Sequence, residues 1–116
     1  MNITRIYSDE MGESHFEEFT VPLTHQGDIG SLSENVGVDA IQFREVEPEY
    51  IWDFHQPPNR QYIVLLDGRI EIETSLGEKR IFNGGDILLV EDITGKGHKT
   101  RNLIPTKRKS IFIKLP

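Results

Sequence analysis

The chain has 116 residues with 13 basic and 19 acidic side chains, a net charge of −6, and no cysteine. That length suits one domain burying roughly 65% of its unfolded surface. The missing cysteines exclude a disulfide framework and a thiolate metal site, and the acidic balance argues against nucleic acid as a partner. No apolar stretch approaches the roughly 18 residues of a membrane span. Residues 1–5 lack the basic-then-apolar pattern of a signal peptide, so the expectation is a cytoplasmic domain without a membrane partner.

Residues 1–50 carry eleven acidic side chains against Arg5 and Arg44, whereas seven basic residues and no acidic one follow Asp92. The two ends are expected to lie on each other, within one chain or across a dimer; otherwise they are solvated faces of opposite sign. Residues 1–38 read as an irregular acidic segment with short strands, because 8–38 is polar and broken by Gly12, Gly27, Gly30 and Gly37. A short helical turn is expected near 32–35.

From Asp39 onward the pattern is that of a barrel core over 39–116. Residues 40–46 alternate, with Ile41 and Phe43 on one side and Gln42 and Arg44 on the other. An aromatic strand over 50–55 ends at Pro57 and Pro58, which remove ladder donors and fix φ. The strand over 61–66 closes at Asp67-Gly68, a favoured two-residue hairpin turn. Further strands are predicted over 69–74, 80–82, 86–90, 98–104 and 110–115. Gly77, Asn83-Gly84-Gly85 and the glycine-rich loop 94–97 lie between them. Short strands at even spacing predict an all-β, double-sheet jelly-roll barrel.

On alternation, Gln61, Ile63 and Leu65 face the interior, and a glutamine there needs partners for its amide. His55 shares strand parity with Asp53. Trp52 and Phe54, off that parity, join Tyr62, Val64 and Leu66 on an apolar outer face. Such a face calls for cover, either by the N-terminal segment or by a second copy in a homodimer. His15 and His25 read as surface positions.

Two segments resemble the paired motifs of the cupin superfamily. His55-Gln56-Pro57, then Gln61 and Gly68, follow the first motif, whose family form is His-x-His, a glutamate and a later glycine. Gly85 before a strand, then Gly95-Lys96-Gly97-His98 and Asn102, follow the second. The resemblance spans residues 55–102. The strings 54–55, 60–62, 82–86, 91–92 and 97–98 are also similar to one group of small single-domain bacterial cupins without an assigned reaction.

The resemblance implies a pocket in which His55, Gln61 and His98 occupy metal-ligand positions. The implied cofactor is a divalent transition metal (Fe, Mn, Zn or Ni), with no organic cofactor. Pro57 stands where the family has its second histidine and Gln61 where it has its glutamate, which thins the donor set. An ion so weakly neutralised would favour a small anionic metabolite, for which Gln61, Arg60 and Arg101 are candidate binders. Two functions follow: a metal-dependent enzyme of oxygenase, isomerase or lyase type, or a non-catalytic small-molecule binding or sensing module. No catalytic residue stands out.

Overall fold

The computed structural model describes all residues, 1–116. Twelve strands and no helix make up the chain: β1 (Asn2–Ser8), β2 (Ser14–Thr20), β3 (His25–Gly27), β4 (Gly30–Leu32), β5 (Ala40–Val46), β6 (Ile51–His55), β7 (Gln61–Leu65), β8 (Arg69–Thr74), β9 (Lys79–Asn83), β10 (Ile87–Val90), β11 (His98–Asn102) and β12 (Arg108–Lys114). Consequently no helix is long and apolar enough to cross a membrane.

A six-stranded sheet, β2-β1-β10-β7-β12-β5, faces a four-stranded one, β6-β11-β8-β9; β3 and β4 form a separate exposed hairpin. This is a double-sheet jelly roll, as the strand spacing predicts. Alternating inward residues fill the space between the sheets: Ile6, Leu65, Ile70, Ile72, Phe82, Leu88 and Val90 form the core with Phe16.

Two expectations are corrected. Residues 1–20 are not irregular, because β1 and β2 are seven-residue strands paired over their whole length, from Asn2 with Thr20 to Ser8 with Ser14. β1 also runs parallel to β10, and its Ile3 and Ile6 are buried. The inward parity of Ile6 and Phe16 is shared by polar Thr4, Ser8, Ser14 and Glu18, and buried Ile3 lies on the opposite face, so no apolar alternation shows there. No helical turn forms at 32–35, where β4 ends in extended chain.

The Asp67-Gly68 turn is also not a hairpin. β7 pairs with β10 and β12 in the larger sheet, while β8 pairs with β9 and β11 in the smaller. The turn therefore carries the chain between layers, as Asn83-Gly84-Gly85 does in return. These two crossovers pack together, with Gly84 N–H donating to the Gly68 carbonyl at 3.1 Å. Turn chemistry signals the reversal and is silent on whether the flanking strands bond to each other.

The acidic and basic ends do meet within the chain. β12 lies along β5, Lys107 is 3.6 Å from Glu45, and Lys96 pairs with Glu13. Such exposed pairs contribute about 0–1 kcal/mol each, so they orient the ends more than they stabilise the fold.

Candidate functional site

A cavity of about 230 Å³ lies between the sheets beneath β5, β7 and β12. His55, Gln61 and His98 all line it, together with Arg44, Tyr50, Trp52, Arg108 and Phe112. Gln61 is where alternation places it, inward on β7 with Ile63 and Leu65. It is 4% exposed, and its Oε1 has no hydrogen-bond partner.

His98 opens β11, directly opposite His55 across the ladder, and the two rings lie 4.9 Å apart between centroids. The loop that delivers His98 is pinned from three sides. Ser14 Oγ donates to the Gly97 carbonyl (2.7 Å), Gln56 Nε2 to the Gly95 carbonyl (2.6 Å), and Lys96 N–H to the Gly12 carbonyl (2.9 Å). Gly97, at φ +70°, runs so close to His55 that a Cβ there would sit 1.8 Å from the His55 carbonyl oxygen.

Both imidazoles are oriented through Nδ1. His55 Nδ1 lies 2.9 Å from the Asp53 carbonyl oxygen, and His98 Nδ1 lies 2.6 Å from Oδ2 of the fully buried Asp92. A carbonyl or carboxylate can only accept, so the proton is on Nδ1 in both rings and Nε2 is left for other partners. Asp92 falls within the 91–92 string of the resemblance but not among its site residues; the signal that points to it is a carboxylate six residues before a motif histidine.

A β-bulge explains one misplacement. Two residues of β6, Asp53 and Phe54, lie between the partners of Thr100 and His98, where β11 has only Lys99, so the ladder slips there. Trp52 and His55 therefore face the same way, with ring centroids 4.8 Å apart, and Trp52 lines the cavity instead of the outer face. Strict alternation cannot anticipate the inserted residue. Asp53 caps the bulge through Oδ1 to the Phe54 N–H at 2.8 Å.

Arg60 and Arg101 lie outside the cavity, contrary to expectation. Arg60 pairs with Glu91 at 2.6 Å and Arg101 with Glu71 at 3.0 Å on exposed surface. Each carries an acidic neighbour that satisfies it, and Arg101 points away because Thr100 and His98 take the inward parity of β11.

The arginines inside are Arg44 and Arg108. Arg108 is 2% exposed; its Nε donates to Asn102 Oδ1 at 2.8 Å, and its Nη2 has no partner. Burial, and then the nearby positive charge of Arg44, push the Arg108 guanidinium down to about 10, against weaker opposing pulls from Tyr50 and Asp67. Asn102, the last residue of the second motif, also donates to the Glu47 carbonyl at 3.0 Å, tying Arg108 to the loop before β6. The inward parity of Arg108, Ser110 and Phe112 on β12 was a legible signal, hidden by the basic run around it. His15 pairs with Asp9 at 2.6 Å and His25 with Glu34 at 2.9 Å, both away from the cavity.

Burial pushes His55 below its ordinary value of 6.5, and the neighbouring His98 and Arg44 add to this, outweighing the bond to the Asp53 carbonyl. The unfolded chain therefore takes up this proton first as pH falls. Its contribution to stability is complete above about pH 6.5 and is lost below it. The depressed carboxylates Asp9, Glu13 and Glu34 act only in the lower window beneath 4.5. In urea titrations, wild type is expected to lose stability as the pH falls below about 6.5. His55→Phe should flatten that part of the profile; an unchanged slope would contradict the burial argument.

No three His, Cys, Asp or Glu side chains come together in a metal-holding group. The donors at the inferred site are two imidazoles and the Gln61 amide.

No family model matches the chain, and no curated protein sequence matches it. Among solved structures it is similar to the Drosophila melanogaster CENP-C cupin domain. The TM-score is 0.52 and the identity 13%, covering 96% of this chain and 74% of that one. Protein NMB1881 from Neisseria meningitidis also matches, with a TM-score of 0.46 and 14% identity over 72% of this chain and 81% of that one. The first likeness shows that the fold is a cupin fold.

Proposed function

We propose that this cupin-fold domain is a small-molecule binding or sensing module, whose cavity takes an organic ligand without a resident metal. The observation that carries the reading is that Gln61 and Arg108, which line one apolar-walled cavity, each have a buried polar atom without a partner, Oε1 and Nη2. Leaving such groups unsatisfied costs about 1–3 kcal/mol each. A ligand that engages them recovers that cost, which is how a few placed polar groups in an apolar pocket provide specificity.

The residues do not fit a divalent ion. Gln61 is a neutral ligand, Pro57 stands in place of the family's second histidine, and the one buried carboxylate nearby, Asp92, is engaged by His98. Two guanidinium groups in the same cavity oppose a dication. Elemental analysis of tag-free protein is expected to find less than about a tenth of an equivalent of Fe, Mn, Zn or Ni. The His98→Ala variant should give the same value. Thermal-shift stabilisation by small organic ligands should survive a chelator. Stoichiometric metal lost in His98→Ala would overturn this reading in favour of the metal-dependent enzyme.

We further propose that the outer face of the larger sheet pairs with a second copy of the chain. Cross-strand registers align Phe43, Ile111, Val64 and Ile87 in one row and Ile41, Ile113, Tyr62 and Leu89 in the next. Phe43 is 79% exposed. The segment after β2 lies against Phe19 and Tyr62, and Leu89 is already buried, so the open part of the face is centred on Ile41 and Phe43. Glu45 beside Lys109 gives the rim both signs of charge, which a two-fold self-contact needs. Light scattering should give a dimer for wild type and a monomer for Phe43→Glu. A wild-type monomer at about 100 μM, a concentration far above the dissociation constant of a standard-sized interface, would contradict it.

A further inference from the structure

Resting on the binding reading above, we infer that the ligand carries a carboxylate, and that Arg108 with Arg44 beside it forms the subsite that holds this group. In a chain of net charge −6, no aspartate or glutamate lines the cavity, while Arg44, Arg108, His55 and His98 all do. Elsewhere, Arg5, Arg60, Arg80 and Arg101 each have a carboxylate within 3.0 Å. Arg44 and Arg108 have no carboxylate partner and stand against aromatic faces, as Arg5 and Arg80 do in addition to their ion pairs. The Arg44 guanidinium is 4.9 Å from the Tyr50 and Phe112 ring centroids, and that of Arg108 is 5.8 Å from Tyr50.

Arg108 is not a surface charge that wandered inward. Its Nε is spent on Asn102, which fixes the guanidinium plane, while Nη2 is buried and unpartnered. A planar guanidinium held in place can pair bidentately with a carboxylate or a phosphate, and the apolar walls of the cavity favour the singly charged carboxylate because a second buried charge costs more. Tyr50, Trp52 and Phe112 supply apolar walls for the rest of the molecule. Gln61, whose amide presents a donor or an acceptor on rotation, meets a second polar group. The cavity volume lies below the roughly 300–1,000 Å³ of drug-sized sites, so the ligand is a compact organic acid.

Calorimetric titration with matched probes tests this: benzoate against benzamide, acetate against acetamide, and inorganic phosphate. Each acid should bind at least about tenfold tighter than its amide. Arg108→Met should erase that difference by weakening the acid far more than its amide. Arg44→Gln, at a half-buried position whose loss leaves the core intact, should reduce the difference by a smaller factor. Equal binding of benzoate and benzamide by wild type would overturn the carboxylate subsite and leave the pocket reading standing. Phosphate binding tighter than both acids would assign the subsite to a different head group and overturn the inference. Failure of every probe to bind would overturn the inference and the pocket reading together.

Discussion

Gly97→Ala is expected to abolish the folded state. A Cβ at this position would lie 1.8 Å from the His55 carbonyl oxygen and 2.3 Å from its carbon, and φ is +70°. The backbone angle alone costs about 1–2 kcal/mol for a residue with a Cβ. The collision is with main chain on both sides, so no side chain can turn aside. Relief requires the 94–97 loop to lift off β6, releasing the Ser14 and Gln56 bonds and displacing His98. A domain stabilised by about 5–15 kcal/mol has little to spare against that. Gly77→Ala is the control: φ there is +92° but nothing lies within 4 Å of the added carbon. It should unfold cooperatively in urea, about 1–2 kcal/mol weaker than wild type. Similar losses in the two variants would contradict the close approach of loop and strand.

Arg108→Met should raise stability while emptying the carboxylate subsite of its charge. The guanidinium is buried without a carboxylate, and its depression from 12.5 to about 10 corresponds to a penalty of about 3 kcal/mol on the charged form. Replacing a buried charge by an apolar chain of similar length is commonly neutral or stabilising by about 1–4 kcal/mol. Asn102 Oδ1 loses a donor in exchange, a cost of about 1 kcal/mol. The net expectation is a gain of about 1–3 kcal/mol, read as a rise in urea midpoint at unchanged m-value. A loss of more than about 2 kcal/mol would mean that Arg108 holds the barrel together instead of serving a ligand. Retaining a destabilising residue at such a position is what a binding site does at the expense of stability.

Much of the fold was legible because hydrophobic alternation and turn residues act locally. The strands from Ala40 onward, the inward set Gln61, Ile63 and Leu65, and the motif spacing all follow from period two and glycine placement. β1 and β2 escaped because polar Thr4, Ser8, Ser14 and Glu18 share the inward parity of Ile6 and Phe16, while Ile3 is buried on the opposite face. Which strands bond to which is a non-local matter, hence the Asp67-Gly68 crossover read as a hairpin. At the site, His55, Gln61 and His98 converge as their motif positions imply. Trp52 was misplaced by a bulge whose extra residue leaves no mark in composition. Arg60 and Arg101 neighbour motif residues in sequence, but strand parity and acidic partners keep them on the surface. Arg44 and Arg108 reach the cavity from β5 and β12, which only the sheet order brings beside β6 and β11.

The convergence of two imidazoles on one ligand cavity is tested most directly by long-range proton–nitrogen NMR of the histidine side chains. Selectively labelled protein should show His55 and His98 protonated at Nδ1. On addition of benzoate both their Nε2 signals should move along one saturation curve, while those of His15 and His25, tied to Asp9 and Glu34, stay fixed. A response at His15 or His25, or at only one of the pocket pair, would contradict the account.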